Sequence, residues 1–396
     1  MTDWQTKKLG DVAASGRSVI SGPFGSSIGK RFFVDEGIPV IRGNNLTKGV
    51  VKFKDSGFVY LTPEKADELN AYAIEDDIIY TAAGTIGQIG IIPKNSKYKT
   101  YTISNKQIRV RLDQSQIVPA YAYMVLSSES MIRKVEYQNT GSTIPLINLS
   151  IIKSLRLQLP PINEQERIVE VLEVWDEYIE KLEQKIALKE QLKIALMQQI
   201  FLKKRRLRGF GSNWREVSLM DAAEIERGKM LTSKNVIEGQ YPVVAGGKTS
   251  PYSHAEYTHE DVITVSASGA NAGYVAYQAR KIWASDCSVV FGRTSDYMTL
   301  YIYYWLQHIQ DRVYGLQTGG AQPHVQPSDL RKLKIFVPDI NEQEEIVSIF
   351  ATIDLEVSIL EKLKKSMSKQ KKYLLQNLIT GKIRTPEHLK PKGANS

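Results

Sequence analysis

The run from Ile162 to Phe201, INEQERIVEVLEVWDEYIEKLEQKIALKEQLKIALMQQIF, leaves a chain little choice but one long helix. Apolar residues fall at Ile168, Leu172, Trp175, Ile179, Leu182 and Ile186, in alternating steps of four and three. That spacing makes a narrow seam, the pattern of a coiled coil and not the wider stripe of a helix laid on a globular core. Pro160-Pro161 bars an earlier start, and Asn163 with Glu166 has the form of a capping box. About 40 residues at ~1.5 Å rise make a rod of roughly 60 Å.

The run occurs twice. Ile340 to Ile379, INEQEEIVSIFATIDLEVSILEKLKKSMSKQKKYLLQNLI, superposes on it without a gap at an offset of 178, so Asn341 falls on Asn163 and Asp354 on Asp176. The seam recurs at Ile346, Phe350, Ile353, Val357 and Leu360. Two long helices with matched seams, separated by a globular stretch, are expected to pack on each other, antiparallel. Lys189, Lys193, Lys364 and Lys371 interrupt the seams, and such lysines must snorkel or face a partner.

The duplication extends beyond the helices. Asp3-Trp4 through Leu9 and Asp11 resembles Asn213-Trp214 through Leu219 and Asp221 at an offset of 210; Thr140 to Pro145 matches Thr318 to Pro323 at 178. The period is too long for a solenoid. It describes a unit used twice, with expected boundaries at 1–160 (first globular domain), 161–208 (central helix), 209–338 (second globular domain), 339–381 (distal helix) and 382–396 (flexible tail). In the first domain, Ile38–Ile41, 77–80, 88–93 and 103–112 read as strands and 121–135 as a helix. In the second, 241–244, 261–263 and 287–291 read as strands and 299–314 as a helix. Short strands, turns and few helices make each domain α+β, and antiparallel packing of repeated helices implies a pseudo-two-fold repeat.

A formal net charge of +9 and a pI of about 9.2 favour a polyanionic partner. One cysteine, Cys287, excludes a disulfide framework and fits a reducing compartment. With no apolar N-terminal core and no run near the ~18 residues of a membrane span, the expectation is a cytoplasmic protein without membrane contact.

Catalytic motifs are absent. There is no G-x-x-x-x-G-K-[ST] loop, no G-x-G-x-x-G after a strand, and no Asn/Asp-Pro-Pro-aromatic motif of an amino-methyltransferase. His254 and His259 lie five apart but lack a third ligand, and Cys287 sits in a strand pattern as a small core residue. No catalytic or metal-ligating residue and no cofactor is assigned, which favours a binding protein over a lone methyltransferase or nuclease. A coiled-coil scaffold for two protein-binding domains is the other class left open.

The loops mix small residues, amides, hydroxyls and cations. Small residues let backbone N–H groups approach phosphates, while Asn, Gln and Arg can pair with base edges. Candidate DNA contacts in the first half are Ser21, Gly22, Phe24, Ser26, Ser27, Arg42, Asn44, Asn45, Thr85, Asn105, Lys106, Thr140, Ser142 and Thr143. In the second they are Arg227, Lys229, Gly247, Lys248, Ser268, Asn271, Thr318, Gln322 and His324. Lys204 and Arg205 belong to the run Lys203-Lys204-Arg205-Arg206-Leu207-Arg208, which suits either a solvated helix end or a phosphate contact.

Gly22-Pro23-Phe24-Gly25-Ser26, Gly37-Ile38-Pro39-Val40-Ile41-Arg42, Thr140-Gly141, the paired Pro-x-Ile-Asn-Glu-Gln-Glu starts at Pro160 and Pro338, and Leu374 to Ile383 together carry a resemblance. The chain resembles the DNA-specificity subunit of type I restriction–modification enzymes over nearly its whole length. That resemblance implies two target-recognition domains, each reading half of a bipartite double-stranded DNA site, held apart by the helices. It implies two modification (methyltransferase) subunits that bind S-adenosylmethionine, and restriction subunits that use ATP and Mg, with all catalysis in those partners. One departure stands out: Phe201-Leu202-Lys203-Lys204 lacks the Thr-Gly of Ile379-Thr380-Gly381-Lys382, so the first helix has no glycine for its exit.

Overall fold

The structure, a computed structural model, describes residues 4–46, 53–84, 87–137, 147–247, 252–320 and 322–388. It divides into two units: residues 1–183 with 362–396, and residues 184–361. Each unit therefore holds one recognition domain and a segment of both long helices, Ile162–Phe201 and Ile340–Leu378.

Both domains are built on one plan. In the first, an antiparallel sheet orders Val19–Ser21, Gln107–Val110, Ile78–Thr81 and Ile89–Ile91. A mixed sheet orders Val59–Leu61, Ile38–Ile41, Tyr101–Ile103 and Tyr72–Ala73, with one parallel pair, Ile41 beside Ile103. In the second, the antiparallel sheet orders Ala223–Arg227, Cys287–Gly292, Val262–Ser266 and Val275–Gln278. Its mixed sheet orders Ser253–His254, Tyr241–Val244 and Trp283–Ala284, again with one parallel pair, Val244 beside Ala284. The extra length of the first domain lies largely between Ile41 and Ile78, where Val59–Leu61 and the helix Pro63–Leu69 are added. The fold is thus mixed α and β, used twice, as expected.

A two-stranded ribbon joins each domain to a long helix. Gln5–Lys8 pairs with Arg156–Leu159, and Arg215–Ser218 with Lys334–Val337. The partners Gln5 and Leu159 become Arg215 and Val337, so the offsets of 210 and 178 read from the sequence hold in the ladder register.

Within each unit the two helix segments run antiparallel. In the first, Asp176 pairs with Lys371, while Ile168 and Leu172 share a buried cluster with Leu378 and Ile379. In the second, Lys189 meets Glu356 at 2.5 Å and Lys193 meets Asp354 at 2.6 Å, and Phe201 stacks on Phe350. These three seam lysines are thus neutralised by carboxylates of the facing helix, and two of the pairs, Asp176–Lys371 and Asp354–Lys193, occupy equivalent positions. An ion pair set into an apolar seam disfavours slipped registers, which would bury its charges unpaired.

Four local expectations are corrected. Asn163 is inside the helix that begins at Ile162, so it caps nothing; at the distal helix the capping side chain is Asp339, which accepts from the Glu342 amide at 3.0 Å. The strand expected over 103–112 is two strands in different sheets, Tyr101–Ile103 and Gln107–Val110, divided by a turn at Ser104 to Lys106. Each expected domain helix is broken in two, after Leu126 and after His308. The tail is anchored past residue 382, because Arg384 pairs with Glu164 and Thr385 accepts from Arg167 Nε at 3.1 Å.

The exit of the central helix needs no glycine. Lys203 adopts φ 58° where Gly381 has φ 69°. A non-glycine residue in this conformation costs about 1–2 kcal/mol, and the Lys203 ammonium sits 3.5 Å above the Phe336 ring, a cation–π contact that offsets part of it.

Candidate nucleic-acid interface

In the first domain three loops distant in sequence meet beside the link between the two sheets. The turn Ser104 to Lys106 links the two sheets, and the Ser104 amide donates to Ile41 O at 3.0 Å, beside the loop that starts at Arg42. The Gly22 amide donates to Gln107 O at 2.8 Å, which places the Ser21 to Ser27 loop against the same turn. The turn and the Arg42 loop enclose a cleft of about 500 Å³ whose walls include Arg42, Asn44, Thr81, Gln88, Asn105 and Lys106, with Ile28, just past the Ser21 to Ser27 loop, also lining it. The Arg42 guanidinium reaches Gly57 O at 3.4 Å, and its Nε is buried with no hydrogen-bond partner among the described residues. Donor capacity is therefore left unspent in a polar, basic cleft.

The residues differ in their parts. Asn44, Asn105 and Lys106 are exposed; in the neighbouring loop Phe24 is 88% exposed, Ser21 and Ser26 are exposed and Ser27 is half-buried. Asn45 is not a reader. It is fully buried, its amide donates to Lys54 O and Ser56 O at 3.0 Å each, and its carbonyl accepts from the Arg42 amide at 3.0 Å. A short side chain with all its bonds spent inside a loop shapes that loop and offers nothing to a ligand. Gly22 has a packing reason: a Cβ there would stand 1.8 Å from Ser104 O. Gln88, which precedes the strand Ile89–Ile91 and lines the cleft, was missed by sequence reasoning; a lone polar residue just after the sequence Gly84-Thr85-Ile86-Gly87 was the available signal. Thr85, Thr140, Ser142 and Thr143 lie outside the described residues.

The second domain places its candidates at the same corner. The Ser285 amide donates to Val244 O at 2.7 Å and the Gly228 amide to Cys287 O at 2.8 Å, the counterparts of Ser104 and Gly22. A Cβ on Gly228 would stand 2.2 Å from Ser285 O. Arg227 and Lys229 flank that glycine, both exposed, with Arg227 bonded to Gln326 at 2.5 Å and Lys229 above the Trp283 ring at 5.2 Å. Ser268 donates to Asp286, and backbone bridges join Ser268 to His324 and His324 to Thr318. Gln322 is exposed close to the bridged His324, and Asn271 is half-buried in the turn before Val275. A cleft of about 340 Å³ opens here, lined by Gly247, Thr264, Ser266, Tyr274, Gln278 and Arg280; Lys248 is outside the described residues. Asp286, Gln278 and Arg280 escaped the sequence reading because a carboxylate was not sought in a basic protein and the other two fall inside or just after a strand.

Lys204 and Arg205 are not brought into either corner. They follow the central helix, Lys204 exposed, and both amides bond Gln199 O. The next residue, Arg206, donates to the fully buried Glu342 through Nε at 3.1 Å and Nη2 at 2.7 Å, and Trp214 Nε1 donates to the same carboxylate at 3.0 Å. The first unit repeats this clamp: Glu164 accepts from Trp4 Nε1 at 3.1 Å and from Arg384 Nη2 at 2.6 Å. The neighbouring Gln165 and Gln343 accept from the Val118 and Met298 amides at 2.8 and 3.0 Å. The repeated Asn-Glu-Gln-Glu motif is therefore a docking device, joining the ribbon, the domain and the two helices of one unit. Cys287 is a core residue: burial, and then the Asp286 carboxylate, push its thiol up to about 12. His254 accepts from the Ile237 amide through Nδ1 at 3.1 Å with its ring against Trp283.

Two α+β domains, each offering a polar loop corner and tied by a buried clamp to a shared helix pair, define a protein of duplicated recognition domains. The chain belongs to the type I restriction modification DNA specificity domain family, which matches residues 1–193 and 211–368. It is 22% identical over 310 residues to the type I restriction enzyme MjaVIII specificity subunit of Methanocaldococcus jannaschii, spanning 69% of this chain and 73% of that protein. The crystal structure of the type I restriction–modification S subunit from M. genitalium superposes with a TM-score of 0.64 at 18% identity, covering 96% of each chain. A second solved structure, from work on complex assembly and conformational transition of the type I system, superposes with a TM-score of 0.59 at 16% identity, covering 96% of this chain and 98% of that one. The protein is a DNA specificity subunit of this class, and among its described residues no helix is long and apolar enough to cross a membrane.

Proposed function

We propose that each recognition domain reads one half of a bipartite double-stranded DNA site through its loop corner. The observation that carries this reading is the repetition: Gly22 with Ser104 and Gly228 with Ser285 build the same corner twice, yet the polar residues that line the two corners differ. Equal scaffolds with unequal linings suit a site whose halves have different sequences. In this reading the helices set the spacer between the halves and dock two modification subunits. Those subunits bind S-adenosylmethionine and methylate adenine, restriction subunits use ATP and Mg to cleave, and the chain contributes no chemistry. Such a complex works on cytoplasmic DNA, without membrane contact.

Methylome sequencing of cells that co-express the chain with its modification subunits tests the proposal. A bipartite motif is expected, and replacing residues 1–158 by the domain of a relative should change one half-site alone. Both half-sites changing together would refute domain autonomy. Four residues inserted after Gln199 add about 6 Å of helix and should lengthen the spacer by about one or two base pairs at ~3.4 Å per step, with both half-sites retained.

A further inference from the structure

The turn that links the two sheets carries opposite charge in the two domains. In the first domain it runs from Ser104 through Asn105 and Lys106, and the Gln107 amide closes it on Ser104 O at 3.1 Å. In the second it is one residue shorter: after Ser285 comes Asp286 alone, and the Cys287 amide bonds Ser285 O at 3.0 Å. The equivalence is fixed on both sides. Ser104 and Ser285 bond the ends of matching strands at Ile41 and Val244, and Lys106 O and Asp286 O accept from the Ala82 and Ala267 amides at 2.7 and 3.1 Å. A solvent-exposed ammonium in one corner thus stands where the other has a half-buried carboxylate.

We infer that this turn is a specificity-determining element, with Lys106 selecting guanine in one half-site and Asp286 selecting an amine-bearing base, cytosine before adenine, in the other. The inference rests on the DNA-reading function proposed above. A carboxylate repels phosphate, so in a DNA-facing corner the part of DNA it can bind is a donor on a base edge. In the major groove those donors are the N4 amine of cytosine and the N6 amine of adenine, whereas guanine and thymine present acceptors alone. An ammonium has the reverse preference and pairs with guanine O6 and N7. Asp286 is oriented for such a contact, because Ser268 Oγ donates to it and Ser268 is itself tied by a backbone bridge to His324. Lys106 is exposed, and its long, flexible side chain can carry the ammonium to guanine O6 or N7.

The test uses the full chain with its modification subunits, comparing methylomes of wild type, Asp286→Asn and Lys106→Met. Asp286→Asn keeps a carbonyl to accept from Ser268 but adds a donor. One position of one half-site should relax from an amine-bearing base, with discrimination falling by roughly ten- to hundredfold, while the other half-site stays as it was. Lys106→Met should relax a guanine in the other half-site by a similar factor. Should Asp286→Asn be recovered unfolded, Lys106→Met, at an exposed position, decides alone. A bipartite wild-type motif with both half-sites unchanged in a folded variant overturns the assignment and leaves the proposed function standing. Uniform loss of methylation at every site, with unchanged melting, also overturns it and makes the turn a general DNA contact. A wild-type complex with no bipartite motif overturns the underlying function instead.

Discussion

Gly22→Ala tests whether the reading corner depends on close backbone approach. The added Cβ would stand 1.8 Å from Ser104 O, and real Cβ contacts essentially never fall under 3.0 Å, so the two loops must part by about 1.2 Å. No flexible side chain can absorb this, because the obstacle is backbone. The Gly22 amide would lose its 2.8 Å bond to Gln107 O, and the turn bearing Asn105 and Lys106 would shift. Overpacking of this kind costs about 1–3 kcal/mol. For a unit of this size that is roughly 2–4 °C of melting temperature per kcal/mol. Thermal unfolding of the purified complex measures the loss, and binding to a panel of duplexes differing at single base pairs measures the reading. The expected result is a lowered transition and poorer discrimination in one half-site, with the other half-site intact. Gly211→Ala is the control, since a Cβ there meets nothing within 4 Å. Wild-type melting and wild-type discrimination in Gly22→Ala would refute the idea that this contact positions the turn.

Three further outcomes are expected. Asn45→Ala strips bonds from Lys54 O, Ser56 O and the Arg42 amide and should destabilise the first unit by about 1–3 kcal/mol in urea titration; a stable protein with altered base preference would restore Asn45 as a reader. Lys204→Ala and Arg205→Ala should weaken cognate and random duplex alike and lower the salt slope by about one each in fluorescence anisotropy, and an unchanged slope would leave both as a solvated helix end. The Asp339 carboxyl is held below its usual range, chiefly by the Ser212 hydroxyl and then by the Glu342 amide. A depressed folded-state value means the stabilisation is present above the ordinary carboxylate range and disappears as pH falls through the depressed value. Asp339→Asn should therefore flatten the acid limb of a stability–pH curve, and identical limbs would contradict the capping role.

Legibility in the sequence followed the range of the interactions involved. The duplicated helix could be read because heptad spacing is a local property of residue identity, and its offset of 178 reappears in the Glu164 and Glu342 clamps. The exit of the central helix looked doubtful only because glycine is the usual left-handed residue; Lys203 takes that conformation with the Phe336 ring beneath its ammonium. The loops could be read as polar, since composition marks a loop, but composition does not say which side chain turns inward. Asn44 and Asn45 are adjacent and identical, and one lines the cleft while the other is fully buried. Local spacing also suggested a capping box at Asn163, where Glu164 and Gln165 instead reach groups tens to hundreds of residues away.

By itself, then, the sequence determined that this protein has two α+β domains, two matched helices and a basic, polar loop set in each half. Only the tertiary structure decided that Gly22 belongs against Ser104, that Arg206 belongs to Glu342 and not to the open basic run, and that Lys106 and Asp286 hold equivalent places. The physical reason is sequence separation. Helical periodicity is set by neighbours three and four residues apart, whereas these approaches join residues far apart in the chain and exist only once the sheets have paired.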